Sequence, residues 1–258
     1  MIEADLTDFG NTDLSHRLLH GGLPPFFLSP EPPERDFQEW MDAYWAKDIQ
    51  ELFRLERRAS FQRFVELLMA QSGGIFEATR FAAPCEVSRT TISNYLVVIE
   101  ATSVALVLRP FSSRRSNEII AAPKVYGFDT GFVCAHRGWT HLRPAALGQL
   151  WEHYVLNELT ARLQADNLRY WRDKQGHEVD LIWLPRGKTP VAIECQWSAR
   201  DFDPANLLVF ARAYPKVTLL VTTTDARPAF TREFAGVRIE FLPLDRLVER
   251  VTGKSAGD

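Results

Sequence analysis

Two acidic residues stand inside segments that otherwise read as buried strands, and this constrains the fold more than any other feature. EVDLIWL and VAIECQW are short apolar runs rich in β-branched residues, with the length and composition of strands. Side chains on a strand alternate between faces. Glu178 and Asp180 therefore share one face of the first run, and Glu194 and Gln196 one face of the second. The link PRGKTP carries the proline and glycine of a hairpin turn, which makes Asp180 and Glu194 neighbours. An acid within a central strand has to be paired or to meet a cation.

The surrounding segments complete a core. Residues 145–164, AALGQLWEHYVLNELTARLQ, predict a helix with Leu150, Tyr154, Val155, Leu159 and Leu163 on its apolar stripe. NLRYWRD is a strand ahead of the acidic pair. A helix over 204–213, the strands VTLLVTTT and VRIEFLPL, and a terminal helix DRLVER follow. A helix, three consecutive strands, a helix and another strand make a mixed α/β (α+β) sheet flanked by helices.

Upstream the pattern changes. Residues 1–36 read as loosely organised, and Pro24, Pro25, Pro30, Pro32 and Pro33 exclude a helix from GGLPPFFLSPEPPERD. Residues 37–70 read as helical, with Trp40, Tyr44, Ile49, Phe53, Phe61, Phe64, Val65 and Leu68 near helical spacing, up to the Gly73-Gly74 break. Ile75 to Ala83 reads as a short helix, Pro84 to Ser88 as a turn, and RTTISNYLVVIEAT as a second helix. Ser88 is its expected N-cap, and Ile92, Leu96 and Ile99 its buried side. VALVLRPF and NEIIAAP read as strands around the polar tip SSRRS, the order of a winged helix-turn-helix. PKVYGFDTGFVCA, residues 123–135, reads as strand and turn. The expected division is a proline-rich segment and helical arm over 1–70, the winged helix over 71–130, and the acidic α/β domain over 131–258.

Several classes are excluded. The formal net charge is −3, so nucleic-acid binding would need a local patch. Cys85, Cys134 and Cys195 lack zinc-finger spacing and are too scattered for a disulfide framework, which points to a reducing cytoplasm. The N-terminus has no apolar signal core, and no apolar run reaches the ~18 residues of a membrane span. Gly187-Lys188-Thr189 and Gly253-Lys254-Ser255 look like the end of a phosphate loop, but each has an aliphatic residue, Ile182 or Val248, where the first glycine belongs. ATP hydrolysis is not expected. His153 and His177 are adjacent in sequence to Glu152 and Glu178, so neither shares a face with its acidic neighbour. Trp171 and Trp197 flank the acidic run as core residues rather than base-stacking platforms.

The chemistry open to this chain follows from the acids. Glu152 on the predicted helix can approach Asp180 and Glu194, and three carboxylates at a sheet end suit Mg²⁺ or Mn²⁺. Such an ion polarises a scissile phosphate and acidifies its bound water. A lysine nearby would offset transition-state charge. DNA contact would fall to Arg89, Thr90, Thr91, Ser93 and Asn94 on the second helix of the turn motif, with Arg114 and Arg115 at the wing tip. Residues 72–122 hold five basic residues against four acidic ones, a weak electrostatic footprint that leaves protein docking as the competing use.

The pieces HGGLPPF, YWAKDIQELFRL, TTISNYLVVIE, PKVYGFDTGF, LGQLWEHYVLNEL, YWRDKQGHEVDLIW and VAIECQW together resemble the C-terminal half of AAA+-type ATPases that end in the DUF4143 domain. That resemblance covers residues from about 20 to 250. It implies a winged helix followed by a PD-(D/E)xK restriction-endonuclease-like domain, with Glu152 as the helix carboxylate and Asp180 and Glu194 as the strand acids. Where the family has Ile-Glu-Val-Lys, this chain has Ile193-Glu194-Cys195-Gln196. Gln196 replaces the lysine, and an amide carries no charge. The resemblance also implies a preceding ATPase domain, and this chain starts near the end of one. The expected function is DNA binding by a nuclease-like fold with weak or absent catalysis. The alternatives are an active Mg²⁺-dependent endonuclease and an accessory subunit of a separately encoded AAA+ ATPase. Expected partners are DNA and either that ATPase or further copies of the chain.

Overall fold

The computed structural model describes residues 1–31, 34–49, 57–112, 122–163 and 167–253. It divides into two compact units, one of Met1, Phe9–Val107 and Ala122–Leu142, the other of Ile2–Asp8, Leu108–Ala121 and Arg143–Asp258.

In the first unit, α1 (Leu14–His20), α2 (Pro24–Phe27) and α3 (Glu34–Tyr44) lead through a π-helical turn to α4 (Arg58–Ala70). The strand β1 (Gly74–Ile75), the helices α5 (Ala78–Ala82) and α6 (Arg89–Ala101), then β2 (Ala105–Leu108), β3 (Lys124–Gly127) and α7 (Thr130–His136) follow. The three strands form one sheet in the order β1-β3-β2. Phe61, Phe64 and Leu68 of α4 pack with Phe81 of α5 and with Ile92 and Ile99 of α6. α6 starts where a cap was expected, since the Thr91 N–H donates to Ser88 Oγ at 3.1 Å. Leu96 is only partly buried, and Tyr95 takes the deeper place.

Four local expectations change. α1 lies in a stretch read as loosely organised. Pro24 and Pro25 open a helical turn instead of forbidding one, because the first helical positions have no N–H to lose. Ile75 is in a strand, pairing with Lys124, and the helix starts at Ala78. Thr130–His136 is a helix rather than a turn, because Asp129 caps it by accepting the Gly131 N–H at 2.9 Å. The middle of the expected 37–70 helix and most of the expected second wing strand lie outside the described residues.

A buried polar lock holds the start of this unit. Asp129 accepts the Gly22 N–H at 2.6 Å and lies 3.8 Å from the buried Arg17 guanidinium. Gly21 has φ +84°, and a β-carbon there would come within 2.0 Å of Asp129 Oδ1. The GG pair of HGGLPPF and the Asp-Thr-Gly of PKVYGFDTGF are thus two halves of one contact.

The second unit is built on a six-stranded sheet. Helix α8 (Pro144–Leu163) precedes β4 (Leu168–Arg172), β5 (Glu178–Trp183) and β6 (Val191–Cys195). Then come α9 (Ala205–Ala213), β7 (Thr218–Thr222), β8 (Phe230–Phe234), β9 (Val237–Leu242) and α10 (Leu244–Thr252). The strand order is β4-β5-β6-β7-β9-β8. β4, β5 and β6 run antiparallel in turn, β6, β7 and β9 are parallel, and β8 returns antiparallel to β9. α8 packs on β6 and α10 on β9, while Leu207 and Phe210 of α9 share a core with Ile182, Ala192 and Val221. The fold is mixed α/β, as expected. β8 was not foreseen. FTREF has three exposed side chains in a row, a pattern set by its place at the sheet edge, where charges discourage further pairing.

Candidate functional site

The hairpin β5–β6 pairs Leu181 with Ile193, which sets Asp180 opposite Glu194 at the next step. The Cys195 N–H donates to Asp180 Oδ2 at 2.8 Å, so Asp180 is held by the backbone of the strand that carries Glu194. Asp180 remains half-buried, whereas Glu194 is only 6% exposed. One of its oxygens, Oε2, is buried with no hydrogen-bond partner.

Glu152 is carried by α8 between the buried Trp151 and His153. Trp151 fixes that turn of the helix, because its indole N–H donates to the Thr222 carbonyl at 3.1 Å, and Thr222 is the β7 partner of Cys195. Glu152 is thereby close enough to act on Glu194. Burial first, and then the Asp180 and Glu152 charges, push the Glu194 carboxyl well above the usual carboxylate range, with Glu178 adding to the effect. The charges that dominate there are all negative.

Gln196 follows directly. Its N–H donates to the Thr222 carbonyl at 3.0 Å, so the strand ladder continues past β6 and keeps Gln196 on the Glu194 side. The Gln196 side chain is thus in register with Glu194 but uncharged. Two features of the cluster suit a hard dication, its all-oxygen donors and the lone buried Glu194 oxygen. Among the described residues, however, no three His, Cys, Asp or Glu side chains are grouped so as to hold a metal ion. The acids as placed form a close pair with a third charge nearby, not a closed ligand set.

The two histidines next to acids are otherwise engaged. His177 bonds Asp173 Oδ2 through Nδ1 at 2.7 Å, and Asp173 Oδ1 also accepts the N–H groups of Gln175 and His177. This is a turn closure, and the Asp-x-x-Gly spacing before His177 was its signal. His153 is buried. The sequence reading missed Glu158, which is 1% exposed on α8. It accepts the Glu3 N–H and faces Arg162 at 3.4 Å, and burial pushes its carboxyl up to about 7.

On α6, Arg89, Thr90, Ser93 and Asn94 are exposed, while Thr91 is half-buried because the Ser88 cap engages it. Arg114 and Arg115 lie outside the described residues.

A profile described as "Domain of unknown function (DUF8612)" matches residues 11–143, more than half of the chain. The chain belongs to the DUF8612 family. A DUF4143 domain is found behind it at residues 147–246, which bears out the resemblance drawn from the seven motif pieces and places Glu152, Asp180, Glu194 and Gln196 inside that domain. Two uncharacterised mycobacterial proteins, Mb2031c of Mycobacterium bovis and Rv2008c of Mycobacterium tuberculosis, are each 30% identical to it over 182 residues. The match takes in 67% of this chain but only 41% of either relative. Among solved structures, an assembly of Thermococcus gammatolerans McrB AAA+ hexamers with bound McrC matches at a TM-score of 0.30 and 10% identity, over 70% of this chain and 46% of that one. Among the described residues no helix is long and apolar enough to cross a membrane.

Proposed function

We propose that this chain is a DNA-binding protein whose nuclease-like DUF4143 domain cuts weakly or not at all. Gln196 carries this proposal. It continues the Glu194 strand in register, beside a cluster whose charges are all negative. Phosphodiester cleavage builds negative charge on the phosphorus oxygens, and a positioned cation is what offsets it. An amide supplies hydrogen bonds only. The exposed polar side chains of α6 supply the DNA contact, with Arg89 and Asn94 suited to base edges.

Supercoiled plasmid and linear duplex are incubated with purified protein and Mg²⁺ or Mn²⁺. Retarded migration of the duplex, with no cutting beyond that of Asp180→Ala, is the expected result. Robust cutting that disappears in Asp180→Ala overturns the proposal. Cutting gained by Gln196→Lys would show that the missing cation is what silences the scaffold.

One observation favours the alternative, a Mg²⁺-dependent endonuclease. The unpartnered Glu194 Oε2 is an oxygen that a dication would satisfy. A competent enzyme would have to work without the lysine, and the same plasmid assay decides between the two.

A further inference from the structure

We infer that His16 and His20 form a proton-operated latch, which holds α2 on α1 at neutral pH and releases it in mild acid. Every part of it lies within the first unit.

His16 and His20 stand at i and i+4 on α1, so both rings leave the same side of the helix. The rings stack with centroids 3.9 Å apart and planes 20° from parallel. α2 lies against both. Nε2 of His16 bonds the Phe27 carbonyl at 2.7 Å, the two rings of that pair meet edge-on at 5.0 Å, and the Phe26 backbone acts on His20. His20 is only 4% exposed, and its Nδ1 is buried with no hydrogen-bond partner.

This arrangement suits two neutral imidazoles. A neutral ring can leave Nδ1 as a bare lone pair. Protonation puts an N–H there with nothing to accept it, at the full desolvation cost of that group. Charging both stacked rings adds repulsion that is little screened away from water. Burial first, and then His16, hold the His20 imidazole below the usual histidine range, with the Phe26 backbone opposing them. A base depressed by closure stabilises the closed form above its free pKa, and that stabilisation is lost as pH falls.

The charges around the latch are engaged elsewhere. α2 is Pro-Pro-Phe-Phe and brings none. On α1, Asp13 accepts the Ser15 N–H at 2.9 Å, and Arg17 faces Asp129 at the head of α7. α7 also carries Cys134, whose thiol donates to the Leu18 carbonyl, and His136, which bonds the Phe132 carbonyl. The Met1 ammonium donates to the Gly22 carbonyl. The charge that acts on His20 is that of His16. Release stays local, because Asp129 holds the Gly22 N–H at 2.6 Å and the chain can swing only beyond that point. Phe26, packed on Phe37 and Phe132, keeps α2 closed while the histidines are neutral.

Amide hydrogen exchange of the intact chain, read by NMR and corrected for the intrinsic pH dependence of exchange, tests the latch. The amides to follow are those of Phe26, Phe27 and Leu28, which donate to the Leu23 and Pro24 carbonyls. Between about pH 7.5 and pH 5 their protection is expected to fall by about ten- to thirtyfold, thirtyfold being the ceiling for one histidine of ordinary value 6.5 kept neutral by closure. Amides of α6 and β6 are expected to keep theirs. His20→Gln, which cannot be charged, is expected to hold its protection across the range. His16→Phe keeps a stacked ring without a second charge and is expected to move the fall to lower pH. Unchanged protection in the wild type overturns the latch, as does an equal fall in His20→Gln or an unmoved midpoint in His16→Phe. A fall shared by α6 and β6 is acid unfolding of the chain and overturns it too.

Discussion

Asp180 accepts the Cys195 N–H at 2.8 Å and lies across the β5–β6 pair from Glu194, so two acids are held side by side by one step of the sheet. Their repulsion is little screened where burial excludes water. It falls on the more deeply buried member, Glu194, whose carboxyl is held well above the ordinary range by burial, Asp180 and Glu152. A carboxyl raised on folding contributes stability below its unfolded pKa, and that contribution is lost as pH rises through the folded one. Glu194→Gln removes the loss. It is expected to stabilise the protein at pH 8 by on the order of 1–3 kcal/mol and to have little effect near pH 4. Urea midpoints at the two pH values test this, and a variant effect independent of pH would contradict it.

Glu158 gives a second pH dependence in a defined window. Its carboxyl rises from 4.5 to about 7, with burial as the main cause. The stabilisation is complete below the unfolded value and disappears as pH climbs through about 7, amounting to at most about 3 kcal/mol. Glu158→Gln should flatten the urea midpoint between pH 5 and pH 8 relative to the wild type. Parallel curves for the two proteins would rule the assignment out.

The Arg17–Asp129 lock has a cost if only half is removed. Asp129→Ala removes the carboxylate beside the buried Arg17 guanidinium and strips the Gly22 and Gly131 N–H groups of their acceptor. A loss of about 3–5 kcal/mol is expected. Asp129→Asn, which keeps an acceptor for the helix cap, should lose less. Equilibrium unfolding of both variants ranks them, and equal losses would mean that capping contributes nothing.

Ser88 tests the helix-turn-helix at lower cost. Ser88→Ala removes the acceptor for the Thr91 N–H and should destabilise by about 1 kcal/mol, while Ser88→Asp, another good cap, should be close to neutral. Thermal melts of the two variants check this; if Asp is as harmful as Ala, the capping role is wrong.

Much of the sheet domain was legible because strand alternation is local. Two-residue periodicity in EVDLIWL and VAIECQW was enough to put Asp180 and Glu194 on one face, and the PRGKTP turn set their pairing. β8 escaped because its exposed Thr231, Arg232 and Glu233 carry no apolar alternation, and an edge strand is defined by its neighbour β9. The helix Thr130–His136 was hidden for a different reason. Its cap residue Asp129 was visible, but the two glycines nearby read as turn signals.

The amino-acid order alone determined which residues alternate and that Ser88 caps a helix. Each of these depends on atoms a few bonds or one turn away. The ionisation of Glu194 and Glu158 and the joining of Gly21 and Gly22 to Asp129 were decided only in the folded chain. Burial and Coulomb energy depend on distance through space, and that distance is set by which strands and helices come together.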